Sequence, residues 1–169
     1  MFFTQLDTIS VIERGQSLQA HKCLTLAEEY LQDHFPGFPV MPGVMMLEAL
    51  TQAAAWLIRD SEDFAHSMVV LHEARNVKYS GFVEPGQTLH VDVTWVKEQD
   101  SEVSVKASGR VGDRVAVSAK LTMKRYNLSD AGEAPERSDL SESDAVLREA
   151  ARAAFGKLYR PSISNASTA

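Results

Sequence analysis

Residues 33–60, DHFPGFPVMPGVMMLEALTQAAAWLIRD, limit the possible folds of this chain more than any other stretch. A polar loop broken by Pro36, Pro39 and Pro42 leads into a run from Val44 to Ile58 that is apolar nearly all round. Proline suits the first turn of a helix, where its missing N–H costs nothing, so Pro42-Gly43 predicts a helix start. A helix that is apolar on most sides is a buried helix. Spanning a bilayer takes roughly 20 apolar residues, and this run is shorter and is interrupted by Glu48, Thr51 and Gln52. The rest of the chain must therefore cover it.

The covering material reads as strands. Around Gly15 two alternating segments predict paired strands, the second with Leu18, Ala20, Leu24 and Leu26 on one face and Gln19, His21, Cys23 and Thr25 on the other. After the helix, SMVVLHEA and RNVKYSGF read as two strand-like pieces, and EPGQ at 84–87 as a Pro-Gly turn. Three regular strands follow. Their apolar sets are Leu89, Val91, Val93 and Trp95, then Val103, Val105, Ala107 and Val111, then Val115, Val117, Ala119, Leu121 and Met123, with Gly112-Asp113 as the last hairpin turn. One apolar helix and about six half-buried antiparallel strands predict an α+β domain whose sheet wraps a single helix.

The pattern ends near Tyr126. Residues 127–142, NLSDAGEAPERSDLSE, lack periodicity and read as a polar linker. Residues 143–160 then carry Val146, Leu147, Ala150, Ala151, Ala154, Phe155 and Leu158 at helical spacing, with Ser141 or Ser143 as N-cap and Pro161 as the stop. Residues 161–169 read as a flexible tail.

A net charge of -6 and a pI near 5.3 leave no broad basic face for nucleic acid or an anionic membrane. The single Cys23 has no intrachain disulfide partner, and the N-terminus lacks a basic region followed by an apolar run, so a cytoplasmic setting is expected. His21, His66, His72 and His90 read as structural or solvated, and no metal or organic cofactor is expected. The basic residues Arg110, Arg114, Lys120, Lys124 and Arg125 read as the solvated face of a hairpin.

Chemistry concentrates in the opening stretch. Glu48, Thr51 and Gln52 share one helix face. An unpaired carboxylate within such a helix would be costly, so Glu48 must be paired, hydrogen-bonded or kept protonated, and the last state is that of a general acid. His34, in the loop before the helix, is the side-chain type most easily used as a base near neutral pH. Gly43 stands where the first helix amides are unsatisfied, so an oxyanion can approach them closely. A base, an acid and an oxyanion donor thus fall within fifteen residues.

These residues resemble the hot-dog-fold 3-hydroxyacyl-[acyl carrier protein] dehydratases of fatty-acid synthesis, the FabZ and FabA type. The family pattern, H-F-P-x-x-P-x-x-P-G-V followed by E-A-x-x-Q on a helix, is met by His34-Phe35-Pro36, Pro39, Pro42-Gly43-Val44, Glu48-Ala49 and Gln52. The resemblance runs from about residue 5 to 125 and includes VKYSGFVEPGQTLHV; glutamate at position 48 favours the FabZ branch. It implies that His34 removes the C2 proton of a (3R)-hydroxyacyl thioester and that Glu48 protonates or holds the departing hydroxyl. Gly43 would polarise the thioester carbonyl, the Val40 carbonyl orient the imidazole, and Gln52 hold Glu48. Phe35, Met45 and Phe82 are further expected substrate-binding or supporting residues. The implied partners are acyl carrier protein and a second copy of the chain, as a homodimer or trimer of dimers, because the family draws His and Glu from different subunits. The chain departs from the pattern at Asp33, where glycine is usual, and at Ser80 and Phe82, where a basic residue and proline are usual. The C-terminal helix is additional.

Two other functions fit the fold. In a hot-dog acyl thioesterase Glu48 would activate water, and release of free thiol would reveal it. A non-catalytic acyl-binding or assembly subunit would bind acyl carrier protein without turnover. The proline-flanked His34 argues against the first, and a base paired with a costly buried acid argues against the second.

Overall fold

The computed structural model describes residues 3–35, 37–130 and 138–161. Pro36, residues 131–137 of the expected linker and residues 162–169 of the expected tail lie outside the described residues. Six strands, β1 (Thr8–Glu13), β2 (Ser17–Cys23), β3 (Met68–Tyr79), β4 (Thr88–Gln99), β5 (Glu102–Val111) and β6 (Arg114–Tyr126), form one antiparallel sheet. Its order is β1-β2-β4-β5-β6-β3, so β1 and β3 are its edges. The helix α1 (Gly43–Ser61) lies across its inner face, and a second helix, α2 (Ser138–Leu158), follows the last strand. This is the hot-dog arrangement that the resemblance implied.

The packing follows from the two periodicities. Along α1, Ala49, Leu50, Ala53, Ala54, Leu57 and Ile58 are all fully buried. They meet alternate residues of the sheet: Leu18, Ala20, Val91, Val93, Val103, Val105, Leu121 and Met123. Each large apolar side chain so buried contributes roughly 1.5–3 kcal/mol, so this contact is the main source of stability. The alanines let the helix approach the sheet closely. Within the sheet Gly109 makes room for side chains of the two flanking strands, since a Cβ there would lie 2.8 Å from Leu89 of β4 and 2.9 Å from Val117 of β6.

Several local expectations are corrected. The two pieces after α1 are one continuous strand, β3, whose register shifts between Arg75 and Lys78 hide its continuity. Leu26 is 72% exposed because β2 ends at Cys23, and the buried position before that end is Lys22. Its ammonium is neutralised by Glu28 at 2.7 Å and Asp7 at 3.6 Å, which allows its burial. Val111 is only half-buried because a bulge at Gly109/Arg110 resets the alternation, and Val115 is exposed beside the Gly112 turn.

α2 begins at Ser138 rather than 143, so Ser141 and Ser143 lie inside it and not at its N-cap. Its docked face is mixed, not an apolar stripe: Val146 and Leu147 are exposed, whereas Asp144 is buried. The Asp144 carboxylate accepts hydrogen bonds from the backbone N–H groups of Leu128 (2.8 Å) and Ser129 (3.0 Å). Burial alone would raise its pKa, but these bonds and those from the Ser67 and Ser129 hydroxyls hold it well below the usual carboxylate range. Further along, Phe155 packs against Trp56, Phe64 and Tyr159. Arg152 pairs with Asp63 and covers the Phe64 ring, and the N–H of Arg160 donates to the carbonyl of Ile9. α2 is thereby fastened to the far end of α1 and to the edge strand β1.

Candidate active site

Residues 24–42 cross from β2 to α1 and carry His34. Tyr30 lies in a short 3-10 turn, Glu29–Leu31, and its carbonyl accepts the His34 N–H at 3.2 Å, while Phe35 takes φ +51°. That left-handed conformation turns the chain sharply after the histidine. The Phe35 ring lies 4.3 Å from the imidazole, which is half-buried, and Asp33 is exposed. Burial and then the charge of Glu28 push the Tyr30 phenol pKa up, so it stays protonated and is no rival base.

Val40 is buried, and the Met41 N–H donates to the Val83 carbonyl at 2.8 Å, which ties the loop to the segment carrying Phe82. Among the described residues the His34 ring makes no hydrogen bond to the Val40 carbonyl. Pro42 is the N-cap of α1, with φ -56° and ψ 141°, and its carbonyl accepts the amides of Met45 (2.9 Å) and Met46 (3.1 Å). Proline at the cap, rather than inside the first turn, still fixes the chain for helix entry. The amides of Gly43 and Val44 have no intrahelical acceptor at this end, and they sit at the positive pole of a 19-residue helix. The Tyr79 ring, from the end of β3, lies over Gly43.

One turn further along α1, Glu48 is half-buried and its Oε1 accepts a hydrogen bond from Gln52 Nε2 at 2.8 Å. Thr51, expected on the same face, is buried and donates to the Leu47 carbonyl at 3.0 Å. It satisfies itself on its own helix and leaves Gln52 alone to hold the acid. Gln52 is itself held by the N-terminal segment: its Oε1 accepts the Gln5 N–H at 2.8 Å and its Nε2 donates to the Phe3 carbonyl at 3.0 Å.

The structure therefore brings Gly43, Glu48 and Gln52 together along one helix, with His34 on the loop before it. Among the described residues no hydrogen bond or ion pair joins His34 to Glu48 within the chain. Met45 is half-buried, and Val44 beside it is 68% exposed, so α1 is not covered on every side as its composition predicts. Phe82 and Phe38 meet edge to face at 5.6 Å and stay exposed, as does Phe35. These residues form an open apolar surface around the start of α1.

Tyr79, Phe3 and Gln5 are the site residues that sequence reading missed. The aromatic in VKYSGF was a signal for the first. The other two act through their main chain, which leaves no signature in residue type.

The hairpin basic residues do not form one patch. Arg110 pairs with Asp92 at 2.9 Å, Arg125 with Glu62 and Glu98, and Arg114 donates to the Phe82 carbonyl at 3.4 Å. Among the described residues no group of three His, Cys, Asp or Glu side chains could hold a metal ion, and no helix is long and apolar enough to cross a membrane.

Comparison with known proteins bears on this geometry. The FabA-like domain family matches residues 1–120. A 3-hydroxyacyl-[acyl-carrier-protein] dehydratase FabZ of Levilactobacillus brevis is 40% identical over 117 residues, covering 69% of this chain and 79% of the relative. The enzyme of the same name from Clostridium kluyveri is 35% identical over 119 residues, covering 70% and 83%. Among solved structures, the dehydratase heterocomplex ApeI:P from Xenorhabdus doucetiae aligns with TM-score 0.60 at 16% identity, covering 75% of this chain and 85% of that one. The smu.793 protein from Streptococcus mutans, solved with acetyl CoA, aligns with TM-score 0.55 at 17% identity, covering 74% and 91%. At such identities these structures speak for the fold alone.

Proposed function

This chain belongs to the FabA-like family and to its FabZ dehydratases, and on that footing we propose that it converts a (3R)-hydroxyacyl thioester on acyl carrier protein to the trans-2-enoyl thioester in fatty-acid or related lipid synthesis. The observation that carries this reading is the Glu48 carboxylate: it is half-buried in a largely apolar helix, one of its oxygens accepts from Gln52, and the other, with no hydrogen bond among the described residues, meets the substrate. His34 takes the C2 proton. The C2–H electron pair becomes the double bond, the C3–O bond breaks, and the departing hydroxyl leaves as water with a proton from Glu48. The unsatisfied amide of Gly43 stabilises the negative charge that develops on the thioester oxygen. His34 then returns its proton to Glu48, so the enzyme ends as it began. The Val40 carbonyl is the group that orients the imidazole, while Phe35, Met45 and Phe82 line the acyl path.

The acting unit is a dimer of this chain, free or within a trimer of dimers. Three observations support that. His34 and Glu48 do not meet within one chain; the 12-residue strand β3 leaves an open sheet edge, which invites pairing; and Val44 presents an apolar surface beside the site. Residues 1–126 make up the dehydratase unit, joined through residues 127–137 to the added C-terminal helix, which begins at Ser138. A free Cys23 fits a reducing cytoplasm.

The test is hydration of trans-2-enoyl thioesters of several chain lengths, the reverse reaction. Turnover by the wild type, lost by orders of magnitude in His34→Ala and in Glu48→Gln with the fold intact, is the expected result. Full activity in His34→Ala, or release of free thiol in place of hydration, would overturn it.

A further inference from the structure

We propose that the N-terminal segment before β1 is a positioning device for the acid: the main chain of Phe3 and Gln5 fixes Gln52, and Gln52 fixes Glu48. The inference rests on Glu48 acting as the acid. A glutamine amide has two donor hydrogens and an acceptor oxygen, and all three groups are engaged here. Oε1 takes the Gln5 N–H at 2.8 Å, while Nε2 gives one hydrogen to the Phe3 carbonyl at 3.0 Å and the other to Glu48 Oε1 at 2.8 Å. Turned by 180°, the amide would set Nε2 against the Gln5 N–H, donor to donor, and Oε1 against two acceptors. The Gln5 N–H and the Phe3 carbonyl come from one short segment, so they supply the donor and the acceptor together and hold the amide in one orientation. Glu48 Oε1 therefore always faces a donor, which directs the other oxygen to substrate.

The segment is rigid enough to do this. Leu6 and Gln5 are buried, the Asp7 N–H donates to the His21 carbonyl at 2.9 Å, and the Asp7 carboxylate accepts the Cys23 N–H at 2.6 Å. The segment is thus tied to β2 at Asp7, two residues beyond the point where it grips Gln52. A purely structural strand extension needs none of its backbone groups directed at a side chain on α1, 47 residues away in sequence.

The variant Gln5→Pro deletes the N–H, and Thr4→Pro puts the same ring one residue earlier while keeping both anchoring groups. In Gln5→Pro, kcat falls tenfold or more with KM within twofold, and the Gln52 side-chain amide protons, followed by 15N NMR, exchange faster with solvent. Thr4→Pro keeps wild-type values of all three. Deleting residues 1–4, which removes the Phe3 carbonyl, has the same effects as Gln5→Pro and decides the matter if that variant does not fold. Wild-type kcat and exchange in whichever of these variants folds would overturn the proposal. A wild type without dehydratase turnover would sink the functional reading instead, and Gln52 amide exchange would still report whether the segment grips the side chain.

Discussion

A Cβ on Gly43 would stand 3.1 Å from Cε1 of Tyr79, so the aromatic ring at the end of β3 closes over the first turn of α1 at a distance that only glycine accommodates unmoved. The contact joins two needs. Free amides at the helix start require open approach, and the ring shields that approach from bulk water on one side. Tyr79 is half-exposed, so its ring can swing aside. Gly43→Ala is therefore tolerated by the fold, since alanine favours the helix by roughly 0.5–1 kcal/mol over glycine and offsets part of the ring's displacement. Thermal melts should shift by only a few degrees, while turnover falls at least tenfold because the methyl group enters the approach to the amides. In the double variant Gly43→Ala/Tyr79→Ala the melting shift reverts and the loss of turnover stays.

Asp144 makes the docking of α2 sensitive to acid. Its folded-state pKa lies below the usual 3.8, so it contributes stability that is fully present above that value and is lost as the pH falls further. Trp56 lies 6.0 Å from Phe155 of α2, which makes its fluorescence a reporter of undocking. Acid titration should show a transition below about pH 4. Asp144→Asn should weaken docking at neutral pH and flatten that transition; an unchanged acid limb in the variant would disprove the assignment.

The apolar part of the same contact is separately measurable. Phe155 touches Trp56, Phe64 and Tyr159 with ring centroids 5.4–6.0 Å apart, yet is only half-buried. Truncating a fully buried phenylalanine costs about 3–5 kcal/mol, and half burial brings the expected loss for Phe155→Ala to about 2 kcal/mol. A urea midpoint that falls by the matching amount with an unchanged slope checks it.

These residues also mark where sequence reading stops. Pro42-Gly43 and the apolar run after it were legible because helix entry and burial are local and periodic. Glu48 and Gln52 were legible because four residues make about one turn, and β4 to β6 because their alternation is regular over Leu89–Val93, Val103–Ala107 and Val117–Met123. Lys22 was not, since its burial depends on Asp7 and Glu28, which come together only in the fold. β3 looked like two pieces because its bulges interrupt the period. The docked face of α2 is not legible in the sequence because Asp144 and Arg148 are fixed by distant polar groups at Leu128, Ser129 and Asn127, while Val146 and Leu147 face outward. Periodicity sees apolar contacts and is blind to polar docking.

The separation of His34 from Glu48 within the chain leads to a mixing experiment. If each site takes His34 from one subunit and Glu48 from the other, a dimer of one His34→Ala chain and one Glu48→Gln chain has one intact site and one doubly broken site. Equal amounts of the two variants, unfolded and refolded together, give mixed dimers as about half of all dimers, so about a quarter of wild-type turnover returns from two inactive proteins. Sites built within single chains would recover nothing, because every chain carries one broken residue. Val44→Asp supplies the second arm. It places a charge on the exposed apolar surface beside the site, so it should both halve the mass seen by light scattering and abolish the recovered turnover. A monomer that keeps full activity would show that His34 and Glu48 work within one chain after all.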